Sequence, residues 1–132
     1  MDTKEYILRR SGKKDRILHG TLLTQVATHR DDDESKHRGY EITLYETPDG
    51  QHWVQWIYTR TYSGPVTRAD YQEVATLADA LAAVEAFKPQ KWVPHSGNVL
   101  DFFGARMQIA VQYEYDELLS ALYRELGLRD ER

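Results

Sequence analysis

The chain has 132 residues, 41% hydrophobic and 29% charged, with 17 Lys and Arg against 21 Asp and Glu. That length and composition fit one soluble domain over residues 1–132, large enough to bury a core without staples. The absence of cysteine excludes disulfides, thiolate-bound metal and a thiol nucleophile. The formal charge of −4 is not the basic footprint of a typical nucleic-acid binder.

Membrane and export signals are likewise not evident. No apolar run approaches the ~18 residues that a membrane helix needs. The opening Met1-Asp2-Thr3-Lys4-Glu5 is charged and lacks an apolar leader stretch, so a cytoplasmic location is expected.

Residues 5–9 (Glu5-Tyr6-Ile7-Leu8-Arg9) read as a short strand, and Ser11 to Asp15 as a turn. A long β-prone run follows from Arg16 to Thr28, with Thr21, Thr24 and Thr28 suited to a half-exposed pleat. Residues 1–20 carry six cations and three acids. Lys13, Lys14 and Arg16 are the candidate phosphate contacts, against the plainer reading of a solvated hairpin.

Residues 29–39 are the most polar stretch and read as a mobile acidic loop. Asp31-x-Asp33-x-Ser35 has the spacing that opens a calcium-binding loop. Lys36 stands where that loop needs glycine, and Ile42 where it needs a bidentate glutamate. No metal site is assigned.

Tyr40–Thr47 and Gln51–Tyr62 flank Pro48-Asp49-Gly50, a three-residue hairpin signal. Pairing Thr47 with Gln51 sets Leu44 opposite Val54, Ile42 opposite Trp56 and Tyr40 opposite Tyr58 on one face. The other face carries Tyr45 beside Trp53, Thr43 beside Gln55 and Glu41 beside Ile57. The first face is the expected core. The second, through Tyr45, Trp53 and Ile57, is the candidate partner-binding surface. Burial under residues 88–97 or the last helix is the competing reading.

Arg68–Thr76 reads as a further strand. Thr76, with Asp79 three residues on, has capping-box spacing, and opens a helix with Leu77, Leu81 and Val84 on one stripe. Pro89 stops it. Residues 88–97 form a connection, and Asn98 caps a short turn through Phe103 that Gly104 ends. Met107, Ile109, Val111, Tyr113 and Tyr115 alternate with polar residues or alanine, so 107–115 is expected to be a strand. Asp116 then caps a final helix with Leu118, Leu119, Leu122 and Leu126 inward, closed by Gly127. The element order predicts an α+β fold: an antiparallel sheet of about five to six strands with two main helices packed on one face.

The chemistry-bearing residues form no motif. His19, His29, His37, His52 and His95 lack any metal-binding pair spacing. There is no glycine-rich phosphate loop and no nucleophile elbow. No catalytic residue, cofactor or metal is assigned.

Three further features are Gly20-Thr21-Leu22-Leu23 in the long strand, Tyr45-Glu46-Thr47-Pro48-Asp49-Gly50 at the hairpin, and the strand-to-helix run from Val74 to Leu81. Asn98-Val99-Leu100-Asp101-Phe102 follows. In this order, over about residues 16–102, they resemble EXLDI, a family of small bacterial proteins named for a Glu-x-Leu-Asp-Ile motif; Leu100 and Asp101 match that motif, and Asn98 and Phe102 depart from it. The resemblance implies a bacterial or mobile-element protein of regulatory type, and it supplies no catalytic residues.

The expected function is a non-enzymatic interaction or regulatory protein. It would bind another protein or a second copy of itself through the aromatic face. A nucleic-acid-binding regulator using the basic hairpin is the first alternative. A small enzyme or ligand-binding module with a pocket between sheet and helices is the second.

Overall fold

The computed structural model describes residues 3–28, 38–60, 66–92 and 102–128. The strands are β1 (Lys4–Leu8), β2 (Arg16–Ala27), β3 (Arg38–Glu46), β4 (His52–Arg60) and β5 (Val66–Val74). They form one antiparallel sheet in the order β1-β2-β3-β4-β5, so every strand pairs with its neighbour in sequence. Two helices follow, α1 (Leu77–Ala86) and α2 (Phe102–Glu125). A 3₁₀ turn over Pro89–Trp92 comes between them. The protein is thus an α+β fold on an antiparallel sheet.

The β3–β4 hairpin has the expected register throughout, from Tyr45 opposite Trp53 to Tyr40 opposite Tyr58. Its turn closes as the residues dictate. The Thr47 N–H donates to the Gln51 carbonyl at 2.9 Å, and the Gly50 N–H to the Thr47 carbonyl at 2.9 Å. Gly50 has φ +87°, the left-handed conformation that glycine adopts at no steric cost.

β2 is bent. Its first part pairs with β1, and from Thr21 onward it pairs with β3, with a bulge between Leu22 and Thr24. A bulge kinks a strand and raises its twist. At the changeover β2 passes so close to β3 that a Cβ on Gly20 would lie 2.6 Å from the Glu46 carbonyl oxygen. The kinked first hairpin then reaches the far edge of the sheet. The Ser11 N–H donates to the Ala69 carbonyl of β5 at 2.8 Å. The Ala69 N–H returns a bond to the Ser11 hydroxyl at 2.8 Å. Arg10 adds an ion pair to Asp70 at 2.7 Å and a bond to the Tyr71 carbonyl. The five strands therefore curl until the end of the first hairpin meets the last strand.

α1 opens as its sequence predicts, with the Thr76 hydroxyl accepting the Asp79 N–H at 3.1 Å. The main core joins Val26, Tyr40, Ile42, Leu44, Val54, Trp56 and Tyr58 of the sheet to Ala80 and Val84 of α1 and to Val111, Tyr115 and Leu118 of α2. The space between them is filled by stacked aromatics. Phe87 lies 4.9 Å from Trp56, with 11° between the rings, and 5.5 Å from Tyr115. Arg38 clamps β3 to α2 through a two-pronged ion pair with Glu114, its closest approach being 3.1 Å.

The expected strand over 107–115 is instead part of α2, which runs unbroken from Phe102 to Glu125. Its buried residues Val111, Tyr115, Leu118 and Leu122 fall at helical spacing. The alternation that suggests a strand depends on Ile109 and Tyr113, and both face solvent. Gly104 and Asp116 lie inside this helix and neither end nor begin one. Asp116 accepts a bond from Gln112 one turn earlier at 2.9 Å. The expected loop at 29–39 yields Arg38 and Gly39 to β3. Residues 29–37, with the acidic run Asp31–Glu34, lie outside the described residues, as do 93–101.

Candidate interaction surfaces

Side chains that alternate away from the main core form a second cluster on the other face of the sheet. Tyr45 and Trp53 belong to it, and the chain covers them itself: they are 5% and 4% exposed. The cover comes from the first hairpin and β5. Leu8 and Leu18 complete a second buried cluster with these two rings, with Tyr6 and Tyr71 packed against it. The Tyr6 ring is 4.7 Å from Tyr45, and Tyr71 is 5.8 Å from Trp53. Two guanidinium groups close the rim. Arg16 sits over Trp53 at 4.7 Å and Arg10 over Tyr71 at 4.0 Å. Burial holds the Tyr45 phenol above its ordinary value of 10.0, partly offset by a hydrogen bond with Thr43. Tyr45 and Trp53 therefore act as a second core and not as a free aromatic surface. Ile57, half-buried between Glu41 and Ala69 in register, is the member of the candidate trio left with more exposure.

The basic trio also divides. Lys13 and Lys14 are exposed in the turn after β1. Arg16 keeps an exposed side chain whose guanidinium caps Trp53, which gives it a packing role. The His52 imidazole lies 3.2 Å from the Glu46 carboxylate, and His19 lies 3.7 Å from Glu5. Among the described residues no group of three or more His, Cys, Asp or Glu side chains is placed to hold a metal ion. Among the same residues no helix is long and apolar enough to cross a membrane.

Among the described residues, the large apolar groups most exposed to solvent are not those that sequence reasoning singled out; Leu22 and Leu128 are exposed to a lesser degree. Ile7 and Ile17 are register partners across β1 and β2, 59% and 61% exposed. They lie on the outer face of the hairpin whose inner face carries Tyr6, Leu8 and Leu18. Ile109 and Tyr113 form the second pair, four residues apart on α2, and are 68% and 70% exposed. The first pair was visible in the sequence as a hairpin apolar on both faces. The second was hidden by assigning Ile109 and Tyr113 to the inner side of a strand.

No family model, curated protein or solved structure matches this chain.

Proposed function

We propose that the protein is a non-enzymatic interaction protein of regulatory type, acting by binding another protein. The carrying observation is the placement of Ile7–Ile17 and Ile109–Tyr113 as exposed pairs, in a chain that buries Tyr40, Trp56 and Tyr58 on one sheet face and Tyr45 and Trp53 on the other. Isolated exposed apolar residues are ordinary, but paired ones on regular elements supply an apolar centre that a partner can desolvate. The binding surface in this reading lies outside Tyr45 and Trp53. A regulatory role in a bacterial setting is what the EXLDI resemblance adds. Lys13 and Lys14, exposed together at the hairpin tip, support a second reading as a nucleic-acid-binding regulator.

The test is tagged capture from lysate, with and without nuclease, comparing the native chain with an Ile7→Ser/Ile17→Ser variant and an Ile109→Ser/Tyr113→Ser variant. A stoichiometric protein that survives nuclease and is lost with one variant supports the first reading. Recovery that vanishes with nuclease and weakens steeply with salt and with Lys13→Gln/Lys14→Gln favours the second. Equal recovery by all variants contradicts the surface proposed.

A further inference from the structure

β2 pairs with β1 up to Gly20 and with β3 from Thr21 onward, so no residue of β2 pairs with both neighbours. The β1–β2 hairpin is therefore an arm whose ladder does not continue into the rest of the sheet. Its join is the bent stretch that holds Gly20 and the bulge between Leu22 and Thr24. Beyond the join, the arm is held at its tip and along its inner face. At the tip, Ser11 exchanges two hydrogen bonds with Ala69, and Arg10 reaches Asp70 and the Tyr71 carbonyl. This fastening is partly open to water, with the Arg10 and Asp70 side chains 40% and 33% exposed. Along the inner face, Leu8 and Leu18 close over Tyr45 and Trp53.

The closed arm leaves polar groups unsatisfied. The Trp53 indole N–H can only donate, and among the described residues it has no acceptor although it is buried. Gln55, two positions along the same face of β4, is also buried, and its Nε2 is likewise unpartnered. A buried donor without an acceptor raises the free energy of the state that buries it, and contact with water relieves that cost. A bent join, a partly exposed fastening and unmet donors beneath the cover are features of a segment that opens more readily than the whole chain.

We propose that the β1–β2 arm is a hinged cover. It swings as one piece from the join at Gly20–Thr24 while the main core stays folded. The fastening of Arg10 and Ser11 to β5 sets how often the Tyr45 and Trp53 rings meet water. The closed arm is the major state, because it buries Leu8 and Leu18. This goes beyond the interaction-protein reading, which concerns the outer surface of the closed chain, and either can fail without the other.

Hydrogen exchange followed by NMR, in urea concentrations below the unfolding transition, tests the cover. Three protons report on it after correction for intrinsic rates. The Ala69 amide bonds Ser11 at the fastening. The Trp53 indole N–H lies beneath the arm, and the Trp56 indole N–H bonds Tyr115 in the main core. Ala69 and Trp53 are expected to share one opening free energy and one shallow urea slope. Both should exchange faster than Trp56, which waits for global unfolding.

Arg10→Gln removes the charged part of the fastening without isolating Asp70, which keeps Lys91 at 3.5 Å. It should speed exchange at Ala69 and at Trp53 by the same factor, about tenfold, as loss of a charge-assisted bond implies. Exchange of all three protons together at the global rate overturns the proposal. Different urea slopes at Ala69 and Trp53 also overturn it, since they would mean separate local fluctuations. So does an Arg10→Gln variant that leaves either proton unchanged.

Discussion

Trp56 donates its indole N–H to the Tyr115 hydroxyl at 3.0 Å, and that hydroxyl donates in turn to the Val84 carbonyl at 2.7 Å. One oxygen thereby joins β4, α2 and the last part of α1 inside the main core. Both Trp56 and Tyr115 are buried, so neither group has water as a substitute partner. Tyr115→Phe keeps the ring and removes the oxygen. It is expected to cost about 1–3 kcal/mol in urea unfolding, the range for orphaning a buried donor. A change within error would show that the relay contributes nothing.

The continuity of α2 has its own test. Ala110 lies in the helix interior, between the solvent-facing Ile109 and the buried Val111. Ala110→Pro removes a helical hydrogen bond and clashes with the preceding turn, with an expected loss of about 3 kcal/mol or more. Far-UV circular dichroism should lose helical signal together with stability. A variant with native helicity and a loss under about 1 kcal/mol would contradict the helix at this position.

Gly20 marks the kink of β2 against β3. A methyl group there meets the Glu46 backbone carbonyl, which cannot rotate away as a side chain can. Gly20→Ala is expected to destabilise the fold by about 1–3 kcal/mol, as overpacking does elsewhere. Native stability in this variant would mean that the two strands separate freely at the bend.

Burial of Tyr45 gives the fold an alkaline limit. Its phenol is raised above the ordinary value mainly by desolvation, with the nearby Tyr6 and Glu41 charges adding to the rise. The unfolded chain ionises this group first, so stability is complete below the ordinary value and falls as pH rises from there toward the folded value. Ultraviolet difference titration of the native chain against Tyr45→Phe should show one phenol ionising later than an ordinary tyrosine. Ionisation at the ordinary value would contradict the cover supplied by the first hairpin.

Much of the fold was legible locally. The turn residues Pro48-Asp49-Gly50 and the alternation on either side determine the β3–β4 register, because a slip of one residue would turn Ile42 and Trp56 away from the core. Thr76, Asp79 and the Leu77–Val84 stripe likewise mark α1. The α2 region was not legible by alternation, since Val111 and Tyr115 satisfy spacing four as well as spacing two. Only packing separates them from Ile109 and Tyr113. The candidate site was least legible. That Tyr45 and Trp53 lie beneath Tyr6, Leu8 and Leu18 depends on the β2 bulge and on Ser11 meeting Ala69, a contact between residues far apart in the chain.

Tagged capture from nuclease-treated lysate, comparing the native chain with the Ile7→Ser/Ile17→Ser and Ile109→Ser/Tyr113→Ser variants, tests the proposed interaction surface most directly. A stoichiometric protein is expected to be retained by the native chain and lost with one of the two variants. Equal recovery by the native chain and both variants would contradict the account.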